Sequence, residues 1–108
     1  MATSTIMKTF PYVQYLAAPS EKSSFNLSIK NSARYLVIGT SSATARCFAS
    51  IVISYSSGAV YTLDLKLGSD VTLNTSTNNR LQINTGSSTT MNVMIISLND
   101  TKPNETYT

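Results

Sequence analysis

Apolar and polar residues alternate with a period of two along most of the chain, the pattern of extended strands that turn one face to a core. Phe25-Asn26-Leu27-Ser28-Ile29-Lys30 alternates without a fault. Tyr35-Leu36-Val37-Ile38 is a continuous apolar run ended by Gly39, and it reads as a strand covered on both faces. Over residues 46–55 the odd-numbered positions Cys47, Ala49, Ile51, Ile53 and Tyr55 form an apolar row, which the pattern places inward. Over residues 60–67, Tyr61, Leu63, Leu65 and Leu67 form a second inward row, with Thr62, Asp64 and Lys66 toward water. Val71 with Leu73, and Leu81 with Ile83, mark two short strands, and residues 91–98 close the set.

Turn-forming clusters separate these segments. Ser56-Ser57-Gly58, Gly68-Ser69-Asp70, Thr77-Asn78-Asn79 and Thr85-Gly86-Ser87-Ser88 all carry residues that favour tight turns. No window keeps a 3.6 period built from helix formers. The expectation is all-β: a single antiparallel β-sandwich or jelly-roll-like domain of about seven strands. It occupies residues 25–98, between an N-terminal arm of residues 1–24 and a C-terminal tail of residues 99–108. Such ends fray unless something holds them. A neighbouring chain is the simplest clamp.

Composition narrows the chemistry. Of 108 residues, 32 are Ser or Thr and 9 are Asn, while only 12% are charged. There is no His, no Trp and one Cys, so a Ser-His-Asp triad, a zinc site and an internal disulfide all lack their parts. Cys47 reads as a small core side chain. No calcium loop and no Gly-rich phosphate cradle is present. The sequence therefore predicts no enzyme, no cofactor and no metal. The net charge of +3 is spread thinly, with no stripe of Lys and Arg, so nucleic acid is not expected as a partner. No apolar run reaches the length of a membrane-spanning helix. The stretch after Lys8 contains Pro11, Gln14 and two Tyr, a poor signal-peptide core, and the expectation is a chain made in the cytoplasm without one.

The second faces of two strands carry the main functional signal. A strand covered on one side shows polar residues on the other. Yet the even-numbered face of residues 46–55 carries Phe48 and Val52, and residues 91–98 carry Val93 and Ile95 on one face and Met94, Ile96 and Leu98 on the other. Each such side chain left in water forgoes about 1.5–3 kcal/mol of burial. Two covers are open: the arm, with Phe10, Tyr12, Tyr15 and Leu16, folding back as a strand or flap, or further copies of the chain. In the second case Phe48, Val52, Met94, Ile96 and Leu98 belong to an oligomer interface. For polar recognition, the turn Asn78-Asn79-Arg80 is the candidate contact loop, and Tyr55 and Tyr61 suit a lectin-like, carbohydrate-binding alternative.

Arg34-Tyr35-Leu36-Val37-Ile38-Gly39, Ser54-Tyr55-Ser56-Ser57-Gly58-Ala59-Val60, Leu81-Gln82-Ile83-Asn84 and the final apolar strand together resemble small β-sandwich domains of bacteriophage and prophage virion proteins. Tail-fibre tips, head fibres and capsid-decoration proteins carry such domains. The resemblance covers residues 25–98 and implies homo-oligomeric assembly, with a trimer favoured. It also implies contact with other virion proteins, a place in the virion and recognition of bacterial surface glycans. It transfers no site residue to this chain.

Overall fold

Each alternating stretch becomes a strand, and the N-terminal arm adds one more. The computed structural model describes residues 12–16, 22–41, 46–67 and 71–103. The strands are β1 (Val13–Leu16), β2 (Lys22–Ser28), β3 (Arg34–Ser41), β4 (Cys47–Ser54), β5 (Val60–Leu67), β6 (Thr72–Asn74), β7 (Arg80–Thr89) and β8 (Met91–Ser97). All pairings are antiparallel. They form a five-stranded sheet ordered β1-β8-β3-β4-β5 and a three-stranded sheet ordered β2-β7-β6. The fold is an all-β sandwich of unequal sheets.

One core fills the space between them. Phe25 and Leu27 from β2, and Leu81 and Ile83 from β7, pack in one cluster with Tyr35, Val37, Phe48, Val52, Met91, Val93 and Ile95 from the large sheet. The core-facing positions of the large sheet thus come mainly from β8, β3 and β4. β5 contributes Val60 to the same cluster.

The phase of β4 corrects the sequence reading. The even-numbered residues Phe48, Ser50, Val52 and Ser54 are buried, and Cys47, Ala49, Ile51 and Ile53 turn away from the core. Two serines are tolerated inside because their hydroxyls are used. Ser50 Oγ donates to Asp64 Oδ1 at 2.7 Å. Ser54 Oγ accepts from the Ala33 N–H at 2.9 Å and donates to the Lys30 carbonyl, which fixes the turn between β2 and β3. A buried polar group so bonded escapes the ~1–3 kcal/mol cost of an unmet one. β5 follows its neighbour: Tyr61, Leu63 and Leu65 are exposed, and the Asp64 side is the partly buried one.

Two turn readings also resolve. Gly58 closes the β4–β5 hairpin at φ 92°, and its N–H donates to the Tyr55 carbonyl at 2.9 Å. The Thr85-Gly86-Ser87-Ser88 cluster is not a turn. It lies within β7, where Lys22 pairs with Thr89 and Ser24 with Asn84, so that residues 85–88 stand against Ser23 alone. The turn-like composition appears as an irregularity in the pairing. The Gly68-Ser69-Asp70 cluster lies outside the described residues, as do the predicted tail residues 104–108.

Residues 98–103 return along the β2–β3 turn. Asn99 Nδ2 donates to the Ser32 carbonyl at 3.0 Å, and the Tyr35 hydroxyl to the Lys102 carbonyl at 3.4 Å. Tyr35 is fully buried, and desolvation pushes its phenol from 10.0 up to about 12. A phenol that ionises less readily when folded adds stability that is fully present below pH ~10 and is lost as pH rises toward ~12. The expected slope is about 1.4 kcal/mol per pH unit in that window. Urea titrations at about pH 9 and about pH 11 measure the loss, and Tyr35→Phe flattens it.

Candidate functional site: the outer face of the five-stranded sheet

The register of five strands writes three rows across the side of the large sheet that faces away from the core. The middle row is Val13, Ile96, Leu36, Ile51 and Leu63. The row on one side is Tyr15, Met94, Ile38, Ala49 and Leu65. On the other side lie Arg34, Ile53 and Tyr61, with Leu98 joined by its N–H to the Arg34 carbonyl. Thr40 and Asn92 pair beyond the second row and mark its polar limit.

Arg34 is the one charged residue in these rows, and it is tied down at their end. Its Nη1 donates to the carbonyls of Ala33 at 2.9 Å and Ser54 at 3.0 Å. Everything else is aliphatic, sulfur-bearing or phenolic. Val13, Tyr15, Ile51, Tyr61, Leu63, Leu65, Met94 and Leu98 are all exposed, Leu63 at 72% and Leu65 at 76%. With strands about 4.8 Å apart and rows about 6.8 Å apart, the patch measures ~24 by ~20 Å, or ~480 Å² in plan. That is at the upper end of what single soluble chains expose, and patches of that size are commonly interaction sites.

The opposite side of the sandwich supplies an internal control. The outer face of the three-stranded sheet carries Ser24, Asn26, Ser28, Thr72, Asn74, Arg80, Gln82 and Asn84. All are polar. The same chain therefore follows the polar-out rule on one sheet and breaks it on the other.

The five predicted interface residues divide. Phe48 and Val52 are buried between the sheets and do not reach this face. Met94, Ile96 and Leu98 do lie on it. The residues missed are Leu36, Ile38, Ile51, Ile53, Leu63 and Leu65, all in the rows just described. For the β4 and β5 residues the signal was present as the apolar odd-numbered rows, read with the wrong direction; for Leu36 and Ile38 it was the continuous apolar run of residues 35–38. Cys47 belongs to the outward side of β4 and is partly buried, not a core thiol. The arm does add a strand, but β1 extends the apolar face with Val13 and Tyr15 and does not lie over it.

Asn78, Asn79 and Arg80 sit at one end of the sandwich. Asn79 adopts φ 58°, and its Nδ2 donates to the Ile29 carbonyl at 2.8 Å and to Asn31 Oδ1 at 2.7 Å. Its backbone N–H donates to the Gly58 carbonyl at 2.8 Å. Asn78 Nδ2 reaches the Ser57 carbonyl at 3.3 Å. These bonds join the β4–β5 hairpin, the end of β2 and the β6–β7 turn, which ties the two sheets together. Tyr55 and Tyr61 are both exposed, with ring centroids 5.2 Å apart and planes tilted by 45°. Among the described residues no three Cys, Asp or Glu side chains gather as a cation site requires. Comparison with protein-family models, with curated proteins and with solved structures found no match.

Proposed function

We propose that this chain is a non-enzymatic structural protein that assembles with copies of itself through the outer face of its five-stranded sheet. The observation that carries this reading is the contrast between the two outer faces, one wholly polar and one almost wholly apolar. Two such patches laid together cover about 1,000 Å², close to the lower limit for a specific interface. The face is nearly uncharged, so a second copy meets it without repulsion or stranded ions. The resemblance of residues 25–98 to phage virion domains supports a place on a virion, as a fibre or capsid-decoration component beside other virion proteins. Light scattering at micromolar concentration tests the assembly. The expected mass is a multiple of 11.7 kDa, and a monomer at all concentrations overturns the reading.

A second reading, a lectin-like module for bacterial surface glycans, is favoured by one observation: the exposed Tyr55–Tyr61 ring pair beside the β4–β5 hairpin. Sugars stack on such rings. A glycan array separates the two, because a purely architectural protein retains no glycan.

A further inference from the structure

Among the described residues the sandwich has four sheet edges, and they are not alike. Edge strands carry unpaired backbone groups and are normally kept short, bulged or charged. β1 has four residues and β6 three. The pairing of β2 is broken by the shift between Lys22 and Ser24. β5 carries charge in Asp64 and Lys66 but is neither short nor bulged: it has eight residues, and it pairs with β4 without interruption from Cys47↔Leu67 to Ser54↔Val60. Its other side has no strand beside it among the described residues. Leu63 and Leu65, the most exposed large apolar side chains among the described residues, stand on this strand. A flanking strand would cover their open side.

We infer that the β5 edge pairs antiparallel with the β5 edge of a second copy, in the register centred on Leu65, joining two five-stranded sheets into one of ten. The inference rests on the self-association proposed above and adds an edge contact to its face contact, the joined sheets presenting one larger apolar face to further copies. Strands that pair directly place opposed residues on one face, so the two apolar faces stay on the same side only when odd-numbered residues oppose odd. Three such registers use the middle of the strand. Centring on Asp64 sets that carboxylate against its own copy, which is unfavourable. Centring on Leu63 sets Asp64 against Thr62 and Lys66 against Val60. Centring on Leu65 sets Asp64 against Lys66 of the partner subunit twice, once on each side of the axis, and sets Leu65 beside its equivalent. Lys66 is exposed, and Ser50 holds only Oδ1 of Asp64, leaving Oδ2 outside that bond. The contact is two-fold and closes on itself. It merges two apolar patches into one continuous surface of about twice the ~480 Å² plan.

Cysteine cross-linking tests this in the full chain. Leu65→Cys and Leu63→Cys are each made with Cys47→Ala, oxidised mildly, and run beside light scattering of the same samples. Both positions are largely exposed, so the core is untouched. In the proposed register the α-carbons at position 65 of the two copies stand about 4.5–5.5 Å apart, inside the range a disulfide spans. Those at position 63 are offset by four residues, about 14 Å, and do not bridge. A covalent dimer from Leu65→Cys alone is the expected result. A dimer from Leu63→Cys, with or without one from Leu65→Cys, overturns the register. No cross-link from either, in a protein that scatters as a dimer or trimer, overturns edge pairing and leaves assembly through the sheet face standing. A monomer throughout overturns both.

Discussion

Ile51→Lys will leave the sandwich folded and break the association through the sheet face. Ile51 lies in the middle row of the apolar face, between Leu36 and Leu63, and is exposed in the single chain. A lysine there costs the monomer little, since its ammonium stays in water. In an assembly that covers the face, the same ammonium is stripped of water with no carboxylate among its row neighbours. The penalty for one such ion is several kcal/mol, and at ~3 kcal/mol the dissociation constant rises more than 100-fold. The control is Gln82→Lys, which adds the same charge at the centre of the polar outer face, between Asn26 and Asn74. Light scattering is expected to give nothing larger than the edge-paired dimer for Ile51→Lys and the native mass for Gln82→Lys, with thermal midpoints close to native for both. Loss of mass in both variants would mean that charge alone disperses the particles. Native mass in Ile51→Lys would place the contact off this face.

Strand existence was legible because period-two alternation is a local property. The direction of each strand was not, because direction belongs to the pairing. In β4 a count of apolar residues favours the odd-numbered row, from Cys47 to Ile53, over Phe48 and Val52. The structure inverts this because β4 pairs with β3 so that Phe48 meets Gly39 and Val52 meets Tyr35, both core-facing positions. Ser50 and Ser54 can share that interior only through Asp64, Ala33 and Lys30, which lie 14 to 24 residues away in groups that a strand-by-strand reading does not connect. The sense that the sheet exterior is too apolar survived the inversion, because the large sheet is apolar on both sides. β1 escaped notice for a different reason. Four residues between two prolines carry too little alternation to declare a strand, and only the neighbouring β8 edge gives Val13–Leu16 a partner.

Gly39→Ala will destabilise the fold by about 1–3 kcal/mol, the range for forcing an extra methyl into a packed interior. Glycine inside a strand is ordinarily a weakness, and alanine would relieve it by about 0.5–1 kcal/mol. At this position the sign reverses. A β-carbon on Gly39 would stand 2.2 Å from Cε1 of Phe48, with Cδ1 at 2.8 Å and Cζ at 2.9 Å. Phe48 is the residue directly opposite on β4, and its ring lies over the bare backbone of β3 within the core. Phe48 is 3% exposed, its ring packed in the core cluster. The methyl therefore displaces the ring or parts β3 from β4, in the centre of the sheet that carries the apolar face. For a domain of this size each kcal/mol lowers the thermal midpoint by roughly 4–8 °C. Phe48→Leu removes the clashing edge, so the double variant is expected to lose less than the two single losses added together, a coupling of about 1 kcal/mol or more. Urea unfolding of the four proteins gives the cycle. Additive losses, or a Gly39→Ala protein as stable as the native chain, would show that the ring is not what reserves this position for glycine.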